Sequence, residues 1–195
     1  MIGLLPSLNR FWQRDPPGYR VGTTLDRLVN NLRPYACERV AANRLQLTLP
    51  QGPVIEVVEQ VQSLFLAHIV THRFRLQGRT HFAEPLVLNI FTGGWLRRNG
   101  VIYRTKAKHD AARQLIAALQ QYPQIGATLE QLDFRRASLT IAEGSWQLDI
   151  EHFAASEVVS RVPASRRYLR LEAEQRRLLL SSFLMIGQLM EKCDE

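Results

Sequence analysis

The chain has 195 residues, 46% hydrophobic and 22% charged, enough to bury a full core and outside the disordered and collagenous ranges. Its formal net charge of +7 favours contact with anions such as nucleic acid or acidic lipid. Every basic residue other than Lys106, Lys108 and Lys192 is arginine, a skew that a GC-rich genome produces without any function. Cys37 and Cys193 stand far apart with no Cys or His at finger spacing, which excludes a disulfide framework and a zinc module and fits a reducing compartment, the cytoplasm.

In chain order, Leu4, Leu5, Leu8, Phe11 and Trp12 share one helical face, with Arg10, Gln13 and Arg14 opposite. The segment reads as an amphipathic helix lying on its own fold, or alternatively as an interfacial membrane helix. It ends at Asp15-Pro16-Pro17-Gly18. No basic n-region, long apolar run or cleavage site marks it as a signal peptide, and no stretch reaches the length that spans a bilayer. A second helix opens at Thr23 or Thr24, read as its caps, with Asp26 in the first turn and Leu25, Leu28, Val29 and Leu32 as its stripe. Strands follow over Leu45–Leu49, Val54–Gln60 and Leu64–Leu76. Val54, Val57, Val58, Val61, Phe65 and Ile69 also fit helical spacing, but the β-branched content and flanking prolines favour strand. Leu86–Phe91 is a strand. Trp95–Arg98 and Val101–Lys106 flank Asn99-Gly100, a hairpin signal because both central positions of a type I′ turn need positive φ. Asp110 caps a helix carrying Ala112, Leu115, Ile116, Leu119 and Tyr122. A hairpin over Ala137–Ile141 and Trp146–Glu151, strands at Val158–Val162 and Tyr168–Leu171, and a helix over Glu172–Lys192 complete the chain.

The two hairpins align without a gap. Leu47-Thr48-Leu49 and Leu139-Thr140-Ile141 each precede a four-residue turn with Gly in third place, then Val54–Glu59 or Trp146–Glu151. Each follows a helix, so the order α-β-β-β occurs twice. The expectation is one α+β domain over 1–195: an N-terminal helix and loop (1–22), a first half-unit (23–106), and a second (107–195) with a long C-terminal helix. Their apolar faces would pool into one curved antiparallel sheet with helices on one face. In element order the second half resembles a TATA-box-binding-protein-like half-saddle and the helix-grip order of START-like lipid-binding domains. Phe91-Thr92-Gly93-Gly94-Trp95-Leu96 and Arg10-Phe11-Trp12-Gln13-Arg14-Asp15-Pro16-Pro17-Gly18-Tyr19 resemble an uncharacterised proteobacterial family, a domain of unknown function. That resemblance implies no activity.

Strand alternation in the Asn99-Gly100 hairpin sets Trp95 opposite Arg104 and gathers Trp95, Arg97, Ile102, Arg104 and Lys106 on one face. A Trp among cations suits stacked bases and phosphates, or a simple cation–π pair on a solvated face. Arg166, Arg167, Arg170, Arg176 and Arg177 cluster before the last helix and suit an acidic headgroup or a pocket mouth. His68 and His72 lie about 13 Å apart on a strand, too far to share an ion, and no Glu between them makes an HExxH motif. Glu56, Glu59, Asp149 and Glu151 read as the solvent face of a sheet rather than acid–base pairs. Leu178–Leu180, Phe183–Ile186, Leu189 and Met190 are too many for one stripe; they bury the last helix against the sheet, pair it in a homodimer, or line an apolar pocket, and Gly187 admits a close neighbour. No catalytic, metal or cofactor site is expected. The expected function is a non-catalytic binding or interaction module for an acidic or amphipathic ligand or a protein partner. The ligand-binding candidates are Trp95, Arg97, Arg104, Lys106, Arg166 and Arg170. An apolar pocket under the C-terminal helix is the second reading, and a single-stranded nucleic-acid surface around Trp95 and Arg104 the third.

Overall fold

Period-two alternation from Leu45 onward becomes an antiparallel sheet in the computed structural model, which describes residues 16–50, 52–93 and 100–193. Its strands are β1 (Ala36–Ala41), β2 (Arg44–Thr48), β3 (Val54–Ser63), β4 (Ala67–Arg79), β5 (Leu86–Thr92), β6 (Val101–Arg104), β7 (Phe134–Ala142), β8 (Ser145–His152), β9 (Ser156–Arg161) and β10 (Ala164–Leu169). The helices are α1 (Thr23–Leu32), α2 (Asp110–Gln121), α3 (Pro123–Gln131) and α4 (Ala173–Cys193). The fold is α+β. Strand order is β1-β2-β3-β4-β8-β7-β5-β6, with β9 attached to β4 and β10 to β9. None of the described helices is long and apolar enough to cross a membrane.

Register explains the two faces. One row of cross-strand partners reads Leu45, Val57, Phe74, Ile150, Ala137, Ile90 and Tyr103. The next reads Glu38, Gln46, Glu56, Arg75, Asp149, Ser138, Asn89 and Arg104. Because side chains alternate across a strand, the first row turns to one core with Leu25, Leu28, Leu32, Leu115, Leu119 and the apolar side of α4. The second faces away and is knitted by charge: Arg44 to Glu56 at 3.1 Å, Glu56 to Arg75 at 3.8 Å, Arg75 to Asp149 at 2.9 Å. Opposite charges on neighbouring strands each contribute a few tenths of a kcal/mol, to about 1 kcal/mol.

The residues over 54–63 and 67–79 form strands rather than a helix. The two aligned hairpins pair in different registers. Glu143 and Gly144, at φ 52° and 69°, make a two-residue turn inside the Ala142–Ser145 pair. Thr48 instead pairs with Val54 across a longer loop. β6 pairs with β5, with Asn89 opposite Arg104; Trp95–Arg98, expected as the partner of Val101–Lys106, lie outside the described residues. Two elements lacked a sequence reading. β1 is exposed along most of its length, and α3 buries only Ile125 and Leu129.

Gly78 sits opposite Trp146, and a Cβ there would meet the indole at 2.7 Å. Gly187 of α4 lies over Leu76, where a Cβ would meet that side chain at 3.1 Å. Gly78→Ala is expected to lose about 1–3 kcal/mol through overpacking in urea unfolding followed by tryptophan fluorescence; unchanged stability would refute this packing.

Candidate functional site

The amino end of α1 leaves backbone N–H groups without helical partners, and its N-cap, Gly22, has no side chain. Neither Thr23 nor Thr24 is the cap, which corrects the sequence reading. The acceptor comes from β3 instead. Glu59, 3% exposed, accepts from Gly22 N at 2.7 Å, Leu25 N at 3.3 Å and Tyr19 Oη at 2.6 Å, and from the Thr24 hydroxyl. Glu59 therefore does not face solvent; it follows Ile55 and Val57 on the core side of β3. Burial raises its pKa, but the His72 imidazole, the Thr24 and Tyr19 hydroxyls and the Gly22 amide outweigh burial and hold it down at about 2. An anion fixed at a helix amino end also meets the helix dipole favourably.

His72 is buried beside it, with Nε2 3.7 Å from Glu59 Oε2, an ion pair when the ring is protonated. Its Nδ1–H donates to the Ala155 carbonyl. That carbonyl lies at a break: β8 pairs with β4 over Arg73–Arg79, Phe153–Ala155 turn away with Ala155 at φ 54°, and β9 resumes against Ala67–Val70. His72 thus pins the join where one edge of β4 passes from β8 to β9. His68, four residues earlier, is 1% exposed, and neither ring nitrogen has a hydrogen-bond partner among the described residues. Burial, with Arg166, holds its pKa below the usual histidine range, against the opposing pull of Glu157. Glu157 is buried under Arg27 at 2.8 Å and Arg166 at 3.8 Å. Among the described residues no group of three His, Cys, Asp or Glu could hold a metal.

The β4–β9 pairing creates a corner. The β3–β4 turn is Leu64-Phe65-Leu66, closed by Leu64 N to Ala67 O at 2.8 Å. Arg161 N donates to Leu66 O at 2.8 Å, which sets the β9–β10 turn at Val162-Pro163 beside it. Phe65 is 93% exposed, Val162 68%, and Leu64 and Leu66 are exposed too. Residues 158–171 hold Arg161, Arg166, Arg167 and Arg170 and no acidic residue, and 60–83 hold none either. Arg166 is partly engaged, by Glu157 and by the Gly18 carbonyl at 3.1 Å. Arg161, Arg167 and Arg170 are exposed and make no ion pair among the described residues.

The candidate residues from sequence fall in separate places. Trp95 and Arg97 lie outside the described residues. Arg104 is on edge strand β6, its guanidinium 5.4 Å from the centre of the Phe91 ring, and Lys106 is exposed just beyond. Arg166 lies on β10 and Arg170 just after it, and between β4, which carries their hairpin, and β6 stand β8, β7 and β5. Arg176 and Arg177 are engaged, with the Asn31 carbonyl at 2.6 Å and with Glu174. A cleft of about 720 Å³ follows α4, with Leu76, Trp146 and Leu184 on its apolar side and Gln77, Arg79 and Glu191 on its polar side. Glu151 is buried, against the solvent-face reading, and pairs with Arg135 at 3.2 Å. The capping role of Glu59 and the turn at Leu64–Leu66 escape the sequence reading; an apolar triplet between two strands without Gly, Pro or Asn is the available signal for the second.

Fold and sites together define an α+β protein whose sheet carries helices on one face and, at one end, a corner of exposed apolar turns with Arg161 beside them. A family model described as a protein of unknown function (DUF3156) matches residues 30–190, and the chain belongs to that family. No match was found among the curated proteins or among the solved structures.

Because the folded pKa of Glu59 lies below its ordinary 4.5, its contribution to stability is complete above about pH 4.5 and is lost as pH falls towards 2. Glu59→Gln is expected to lose about 3 kcal/mol at neutral pH, since donors at the α1 end lose their anion. It should also flatten the acid limb between pH 4.5 and 2 in pH-dependent urea unfolding. An acid limb of unchanged slope would contradict the assignment.

Proposed function

We propose that this protein is a non-catalytic binding module for an acidic, amphipathic ligand, which it engages at the corner formed by the β3–β4 and β9–β10 turns. One observation supports the reading: Phe65 and Val162 stand exposed at adjoining turns beside Arg161, which no carboxylate among the described residues neutralises, and exposed Arg167 and Arg170 follow along β10 and just after it. An apolar group next to free cations complements a molecule with an acidic head and an apolar tail. The cation-bearing strands of the sheet face suit such a ligand less well, because Arg44 and Arg75 are already paired with Glu56 and Asp149. The α4 cleft is a weaker host for an apolar ligand, since burying Arg79 and Glu191 under it would cost desolvation. Cys37 is a free thiol, which suits the reducing cytoplasm we assign to the protein.

The test is a chemical-shift titration of the full chain with monomeric dodecyl phosphate. Shifts are expected at residues 62–68 and 158–170, with severalfold weaker binding in the Arg161→Gln/Arg167→Gln double variant. Shifts centred on the β5–β6 edge or on α4, or equal affinity in the double variant, would sink the reading.

A further inference from the structure

We infer that the cleft beside α4 is a second binding site, at the opposite end of β4 from the corner, and that it takes an extended peptide segment of another protein as a short added strand. This does not depend on the corner reading.

The strand edge is the first argument. β3 pairs with β4 only as far as Glu56 opposite Arg75. β4 runs on to Arg79, and there Gln77, Gly78 and Arg79 keep strand partners on one side alone, Gln147, Trp146 and Ser145 of β8. Continuing the β3 register would set Pro53 opposite Gly78. Proline has no N–H to give a ladder, and the Pro53 carbonyl accepts instead from Leu49 N at 3.4 Å. On that side the main chain of Gln77–Arg79 has no strand partner among the described residues, and an open edge of this kind is a template for another chain.

The recess is the second argument. The place that β3 gives up is the cleft of about 720 Å³, with Gly52 and Pro53 on one wall and Leu184, Gly187 and Glu191 of α4 on another. That volume is in the range of ligand clefts, roughly 300–1,000 Å³. The edge from Leu76 to Arg79 offers about 10 Å, room for about three or four extended residues. Walled by a helix and a loop, it admits a single chain and not the broad edge of a second sheet. The lining is the third. Leu76 and Trp146, each 4% exposed, and half-buried Leu184 give a floor for one apolar side chain. Arg79 and Glu191 stand exposed on the rim, and neither is in an ion pair among the described residues. A peptide that brings one acid and one base beside an apolar residue answers both charges, while its main chain pairs with the strand.

The experiment is a chemical-shift titration of the full chain with acetyl-Glu-Val-Leu-Val-Lys-amide. Shifts are expected at residues 52, 76–79 and 184–191 and not at 62–68. Two N-methylated forms, one at both valines and one at the leucine, block opposite edges of the peptide strand. One is expected to weaken binding at least about fivefold and the other to leave it unchanged, because only one edge meets β4. Arg79→Glu, a change at an exposed rim residue, should weaken binding about threefold. Acetyl-Lys-Val-Leu-Val-Lys-amide should recover that loss on the Arg79→Glu variant. Equal effects of the two methylations, shifts centred elsewhere, or no binding at about 1 mM peptide would overturn the inference. The corner reading stands or falls separately, on dodecyl phosphate.

Discussion

One edge of β4 serves two strands in succession, and the rest of the molecule is arranged around that fact. β8 holds Arg73–Arg79 and β9 holds Ala67–Val70. Between them the chain must leave the sheet and return within Phe153–Ala155. A backbone carbonyl exposed by such a break needs a donor, and His72 Nδ1 supplies it at Ala155. The same imidazole lies against Glu59, and Glu59 closes the amino end of α1. Strand break, buried carboxylate and first helix are thus one connected polar unit under the apolar sheet face.

That unit also decides where free charge can sit. On the open face, cations and carboxylates occupy one row of partners and neutralise one another across β2, β3, β4 and β8. The hairpin carried by β9 lies off this row, and its one acid, Glu157, is buried under Arg27 and Arg166. The arginines beyond it have no ladder to join. Arg161 stands at the turn that exposes Val162 beside Phe65, and Arg167 and Arg170 lie further along β10 and just after it.

Much of the sheet was legible because alternation has one cause, a strand with one face in the core. Ile55, Val57, Phe74, Leu76, Leu148 and Ile150 all announce it. The helix pattern over 54–69 competed, and β-branching decided correctly. β1 was silent because an exposed edge strand has no buried face to reveal. The α1 cap was misread because Thr23 is an adequate local cap, whereas Glu59 acts from more than thirty residues away and leaves no local trace. Asn99-Gly100 marks a turn, Gly100 has φ 78° and β5 pairs with β6, while Trp95–Arg98 lie outside the described residues. Leu64–Leu66 reads as strand because its residues are apolar; only the structure puts them in a turn. Local pattern and tertiary position disagree there.

Hydrogen–deuterium exchange of the full chain, with and without monomeric dodecyl phosphate, tests the central claim most directly, because it reads every amide at once. The account predicts slower exchange confined to the two adjoining turns, residues 62–68 and 158–170, with the β5–β6 edge and α4 unchanged. Slowing at Phe91–Arg104 or along α4, or no slowing at all, would contradict it.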